Sequence, residues 1–210
     1  LQSAANTPFD IHNRQLNFAR SDFDRRHALQ GYAVYELPFG RGHRFAKNLN
    51  PVIDRIIGGF EISAILQLYS GRPFTVFSGI NTFSNVLQTP ANCRDCSSDL
   101  GQITLENGQN VFFTADQRAL FTAPAAGEFS DTGRNFFTGP PTFFLDLSLG
   151  KHIRFDESRN LEFRIEAQNA TNTPSFGFPN ATLSSLNFGI VGAGVFGASR
   201  KVQFALKFNF

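Results

Sequence analysis

The sequence predicts an all-β chain: an antiparallel up-and-down meander of about five long strands, forming part of a transmembrane β-barrel with long outer loops. Three observations carry this. Apolar residues recur at every second position over segments longer than the 5–6 residues of an ordinary globular strand. No apolar run approaches the ~18 residues that a membrane helix needs. Long connections also alternate with shorter ones, as they do between the two rims of a membrane barrel.

The segments follow in order. Ala28 to Leu37 is mixed and carries the weakest alternation. Phe39 to Ile57 is a connection of moderate length, in which Pro51 to Ile57 has room for one or two helical turns. Phe60, Ile62, Ala64, Leu66 and Leu68 then alternate with Glu61, Ser63, Gln67 and Tyr69, and Ile65 breaks the polar side. Ser78 to Gly139 reads as a long polar connection. Phe143, Leu145, Leu147, Leu149, Ile153 and Phe155 oppose Asp146, Ser148, His152 and Arg154, with Lys151 on the wrong side. Asp156 to Asn160 is a short turn. Leu161, Phe163, Ile165 and Ala167 oppose Glu162, Arg164, Glu166 and Gln168. Thr171 to Ser199 is long again. The last segment sets Val202, Phe204, Leu206, Phe208 and Phe210 against Lys201, Gln203, Ala205, Lys207 and Asn209. A helix would scatter these sets around its axis, whereas a pleated strand collects each on one face. A strand of about eleven residues spans ~36 Å, or roughly 28 Å when tilted by ~40°.

The polar sides supply the candidate lumen-facing charges: Asp146, Arg154, Glu162, Arg164, Glu166, Lys201 and Lys207. The bulky Phe near the strand ends suit an interfacial girdle. The short turn is expected to place Phe155 opposite Leu161, and hence Arg154 opposite Glu162. The competing register slips by two and sets His152 against Glu162.

Composition narrows the classes further. The chain of 210 residues holds 26 Phe, no Trp and no Met, and 17% of it is charged against the usual ~25%. That much aromatic surface excludes disorder. Two Cys exclude a disulfide scaffold, and a net charge of +2 with both signs scattered gives no basic stripe for nucleic acid. Without Met, Leu1 is not a natural start, so a fragment or processed product is expected. Five strands cannot close a barrel, which needs about eight, so further wall is expected upstream. Leu1 to Asp10 shows no signal peptide.

Several motifs carry no chemistry. Gly192-Ala193-Gly194-Val195-Phe196-Gly197 fits a dinucleotide fingerprint, but a strand follows where a helix is required. Cys93 and Cys96 form a C-x-x-C with no second ligand pair and no βαβ context, which favours a local disulfide over zinc or redox chemistry. The histidines, at 12, 27, 43 and 152, are dispersed, and no catalytic motif occurs. No metal, no cofactor and no enzymatic activity are expected.

A resemblance enters on the order of short motifs: Asp24-Arg25-Arg26-His27, Glu36-Leu37-Pro38-Phe39-Gly40-Arg41-Gly42, Gly58-Gly59-Phe60 and Ser70-Gly71-Arg72-Pro73-Phe74-Thr75-Val76. Gly133-Arg134-Asn135, Gly139-Pro140, Leu145-Asp146-Leu147-Ser148, Leu161-Glu162-Phe163-Arg164 and Asn172-Thr173-Pro174-Ser175-Phe176-Gly177 continue it. Together they resemble the C-terminal end of TonB-dependent outer-membrane receptors, nearest the large Oar-like branch, over most of the chain outside about 80–130. The ending is similar to the last strand of outer-membrane proteins, polar-x-Gly-x-x-aromatic-x-aromatic. Gln203, Phe208 and Phe210 fit it, and Ala205 stands where Gly is usual. In that family this strand is the signal read by the barrel-assembly machinery.

The resemblance implies that residues 1–210 are the C-terminal part of a barrel in the bacterial cell outer membrane. It implies energised uptake, or surface binding, of a large nutrient. The partners it implies are outer-membrane lipid, the barrel-assembly machinery, the N-terminal barrel and plug of the same parent, and TonB through that upstream part. A passive barrel or adhesin without energy coupling is the alternative, and a soluble lipocalin-like binder is the third reading.

Overall fold

The computed structural model describes residues 8–40, 44–46, 48, 50–82, 88–156, 158–192 and 199–210. Residues 1–7, Arg41, Gly42, His43 and most of the Gly192–Gly197 run lie outside these. Five long strands form one sheet: β1 (Ala28–Glu36), β2 (Phe60–Tyr69), β3 (Thr142–Arg154), β4 (Asn160–Gln168) and β5 (Lys201–Asn209). Their order in the sheet is their order in the sequence, which is the predicted meander. β4 runs antiparallel to both β3 and β5. The Leu37 N–H donates to Phe60 O (2.8 Å) and the Ser70 N–H to His27 O (2.9 Å), so β1 and β2 are antiparallel too. The weakly alternating segment is therefore a genuine strand, lying at an edge.

Opposed residues in a sheet share a face. Leu161 stands between Ile153 and Phe208, Phe163 between Lys151 and Leu206, and Ile165 between Leu149 and Phe204. This apolar face is open: Phe204 is 67% and Leu206 69% exposed. At the short-turn end Phe155, Phe208 and Phe210 form a row, with ring centroids 6.4 and 6.2 Å apart. That row lies at the strand ends, where the sequence led to the expectation of a girdle.

Lys151, the one charge on the apolar side, has an explanation. The connection between β1 and β2 contains helix α1 (Pro51–Ile57). Asn50 caps it by accepting from the Val52 N–H at 3.0 Å, and Pro51 takes the first helical position, where no N–H is needed. The Lys151 ammonium donates to Ile56 O (3.1 Å) and to Gly58 O, and lies 4.3 Å from the Phe60 ring. Carbonyls at a helix end lack helical partners and carry partial negative charge, so a cation settles there. Its stem covers apolar surface while its head is satisfied.

The expected register at the β3–β4 turn is corrected. Arg154 opposes Asn160, and Glu162 opposes His152. The competing register is adopted because the loop is Phe155 to Arg159, one residue earlier than expected. The Asp156 carboxylate selects it, accepting from the Ser158 N–H (3.1 Å), the Arg159 N–H (2.7 Å) and Arg159 Nε (2.7 Å). A carboxylate that closes the backbone this way defines the turn.

The long connections are also corrected. They are not simply polar. Residues 8–28, 69–142 and 175–192 build a second compact unit, distinct from the unit of 29–68, 143–174 and 199–210 that contains most of the sheet. Its core is phenylalanine: Phe74, Phe112, Phe113, Phe121, Phe137 and Phe188, with Val76 and Val191. Phe113 lies 5.0 Å from Phe121, 5.6 Å from Phe137 and 5.8 Å from Phe188. Much of the Phe excess thus belongs to this core and not to a girdle. Backbone bonds knit the stretches together, as from the Phe112 N–H to Gly189 O (2.7 Å) and from the Val191 N–H to Asn110 O (2.9 Å). A four-residue helix at Ala115–Arg118 is held by a reciprocal cap, in which Thr114 Oγ1 accepts from the Gln117 N–H and Gln117 Oε1 from the Thr114 N–H.

Candidate functional site: the charged face of the sheet

The face opposite the apolar one collects the predicted charges. Reading across the sheet, Glu162 stands between His152 and Lys207, Arg164 between Gly150 and Ala205, Glu166 between Ser148 and Gln203, and Gln168 beside Lys201. Asp146, on the same face of β3, accepts from the Asn169 N–H at 2.8 Å. Arg154 sits at its short-turn end, opposite Asn160. Glu61, Ser63, Asp146, Ser148, Glu162 and Arg164 line a groove of about 510 Å³ along this face.

Arg164 organises the centre. Its Nη2 bonds Glu162 Oε1 at 2.5 Å, and its Nη1 bonds Glu166 Oε1 at 3.2 Å. The guanidinium therefore lies along its own strand and bridges two carboxylates of that strand. Both of its cross-strand neighbours, Gly150 and Ala205, are small. A Cβ added at Gly150 would meet nothing closer than His152 Nε2 at 3.7 Å. On the other side Ala205 offers one methyl. Gly150 was not visible as a site residue from sequence, since a lone Gly in a strand carries no charge; only its pairing with Arg164 marks it.

The predicted residues divide by location. Gln203 and Ala205 lie on the charged face and Phe208 on the apolar one, while Phe210 follows the last residue of β5 and is 94% exposed. Cys93 and Cys96 lie in the phenylalanine unit, joined by a disulfide with Cα atoms 5.6 Å apart. The Cys93 N–H donates to Asp131 Oδ1 at 2.8 Å. Among the described residues, no group of three or more His, Cys, Asp or Glu gathers as a metal-ligand set. The phenylalanine unit has its own cleft of about 580 Å³, lined by Arg14, Arg20, Asp22, Arg134 and Asn135. Asn135 Nδ2 donates to Arg20 O (2.7 Å) and Asp22 Oδ1 (2.6 Å), and Arg20 Nη2 donates to Thr138 Oγ1 (3.0 Å).

Chemically, the charged face is a wetted wall of mixed sign. Its carboxylates are matched by neighbouring cations and not left to share a proton, so the arrangement suits contact with water and polar solutes.

A family model described as an outer membrane beta barrel domain matches residues 1–203. No curated protein and no solved structure matches the chain.

Proposed function

Because the chain belongs to the outer-membrane β-barrel domain family, and is thereby assigned to the bacterial outer membrane, we propose that it is a wall segment of a TonB-dependent receptor. In this reading the apolar face meets lipid and the charged face lines the lumen. The phenylalanine unit presents the surface that a large nutrient contacts. The observation that carries it is the building of the long connections into one packed, disulfide-bearing unit with a cored interior. A pore for small solutes needs only a constriction, whereas capture of a large ligand needs a shaped and stable surface on a rigid scaffold. The motif order described above points the same way, and so does the terminal strand as a signal for the barrel-assembly machinery. No catalytic role is part of the proposal.

The partners in this reading are lipid, the assembly machinery, upstream barrel and plug segments, and TonB. The alternative is a passive barrel or adhesin with the same wall and no energy coupling. A soluble lipocalin-like binder does not fit the family. The deciding experiment is cross-linking in intact cells between TonB and the protein with its upstream sequence, with and without a collapsed proton-motive force. Energy-sensitive cross-links support the receptor. Their absence, with the protein correctly inserted, favours the passive alternative.

A further inference from the structure

Helix α1 carries an apolar stripe that the sheet does not use. At about 100° per residue, Val52, Ile53, Ile56 and Ile57 fall within ~140° of arc, with Asp54 and Arg55 on the remainder. The stripe is open to the surroundings: Val52 is 63% and Ile56 67% exposed. On the polar side Asp54 is half-buried and Arg55 is exposed. Asp54 and Arg55 line a pocket with Glu61, His152 and Arg154 of the charged face. From the other side, Lys151 projects from the apolar face to the carbonyl oxygens of Ile56 and Gly58. The helix therefore lies across the short-turn end of the sheet, its polar side toward the charged face and its last turn held from the apolar face.

We propose that α1 is an interfacial anchor. Its apolar stripe continues the lipid-facing band of the sheet and lies in the headgroup–acyl boundary of the leaflet at the short-turn end. The occupant of the stripe is lipid and not protein, because Lys151, on the face that a membrane barrel turns to lipid, holds the last turn of α1 through the Ile56 and Gly58 carbonyls and so sets the exposed stripe beside that face. The Lys151 tether joins the two. Interfacial amphipathic helices bury their apolar face ~5–10 Å into this boundary. The girdle row of Phe155, Phe208 and Phe210 lies at the same end of the sheet, where aromatic rings favour the interface. The inference rests on the proposed assignment of the apolar face to lipid, and the experiment separates the two.

These 210 residues contain no Trp, so once any Trp of the upstream sequence is replaced by Phe, single Trp substitutions report alone. Ile56→Trp, Leu206→Trp and Ile65→Trp are placed in the protein with its upstream sequence, reconstituted in phosphatidylcholine vesicles brominated either near the glycerol or deep in the acyl chains. All three positions are at least half exposed, so the larger ring displaces no core. The expected result is that Ile56→Trp loses most of its emission to the shallow bromine and less to the deep. Leu206→Trp is quenched as a lipid-facing residue, and Ile65→Trp, on the charged face, is spared. Quenching of Leu206→Trp with Ile56→Trp spared overturns the anchor and leaves the lipid-facing reading intact. Leu206→Trp quenched no more than Ile65→Trp overturns that reading, and the anchor with it.

Discussion

Replacing Lys151 with Met tests whether a charge on the apolar face stabilises or intrudes. Met keeps the length of the stem and removes the ammonium. Two contributions oppose each other. The ammonium bonds Ile56 O at 3.1 Å and Gly58 O, and lies 4.3 Å from the Phe60 ring. Hydrogen bonds to a charged group contribute about 1.5–3 kcal/mol each, and the ring contact about 0.5–2 kcal/mol. Against this, a lysine on a lipid-facing strand costs about 2–4 kcal/mol at the bilayer midplane but only ~0–1 kcal/mol near an interface. In the proposed assignment of the apolar face to lipid, Lys151 lies near the end of β3, which closes at Arg154, so the low cost applies. Water near the interface replaces part of what is lost at the carbonyls. The net expectation is that Lys151→Met destabilises by about 1–3 kcal/mol, even though it makes the apolar face more apolar. Lys151→Arg should recover much of the loss. The assay is urea unfolding in phospholipid vesicles, read from the midpoint at unchanged slope. A Lys151→Met protein as stable as wild type, or more so, would refute the reasoning and make the lysine a tolerated intruder.

Three further outcomes are expected. Phe113→Ala empties the centre of the phenylalanine unit and should cost about 3–5 kcal/mol there; limited proteolysis should cut within 78–139 while the β3–β4 hairpin stays protected, and unchanged resistance would count against that core. The Asp156 carboxyl is held below its usual range, chiefly by its hydrogen bonds with Arg159. Its contribution to the turn is fully present above the unfolded value of about 3.9 and is lost as pH falls through the lower folded value. Amide protection at Ser158 and Arg159 should therefore hold from neutral pH down to about pH 4 and fall only below it; loss of protection near neutrality contradicts the turn. Deleting Phe210, which is 94% exposed and touches Phe208, should reduce outer-membrane yield in cells far more than it reduces refolding in detergent; equal effects would leave it as one more lipid-facing ring.

The strands were legible because period two is a direct projection of the pleat. Leu161 to Gln168 and Lys201 to Asn209 announce both faces, and the structure pairs them accordingly. The same periodicity explains the register error. Alternation forbids a slip of one residue but is blind to a slip of two, and the choice belongs to the Asp156 clamp, which has no period. The charged residues of the site could be read one by one. The placing of Arg164 between Gly150 and Ala205 could not, because these two become neighbours only through pairing. The phenylalanine core was hidden for another reason. Phe74, Phe113, Phe137 and Phe188 lie in irregular or very short elements, where burial leaves no repeating mark on the sequence.

The phenylalanine unit also has a kinetic side. It is drawn from three stretches of chain, and a bond such as that from the Phe112 N–H to Gly189 O closes a loop spanning two strands and a turn. Contacts so distant in sequence are slow to form, because chain entropy is lost before they repay it. The β3–β4 hairpin, by contrast, closes locally. Until 175–192 has been delivered, Phe74, Phe112 and Phe113 lack part of their cover and stand as adhesive aromatic surface in an aqueous compartment. A stalled barrel should therefore be a better chaperone client than a finished one. Delivery of 175–192, not the pairing of β5 alone, ends that vulnerable interval.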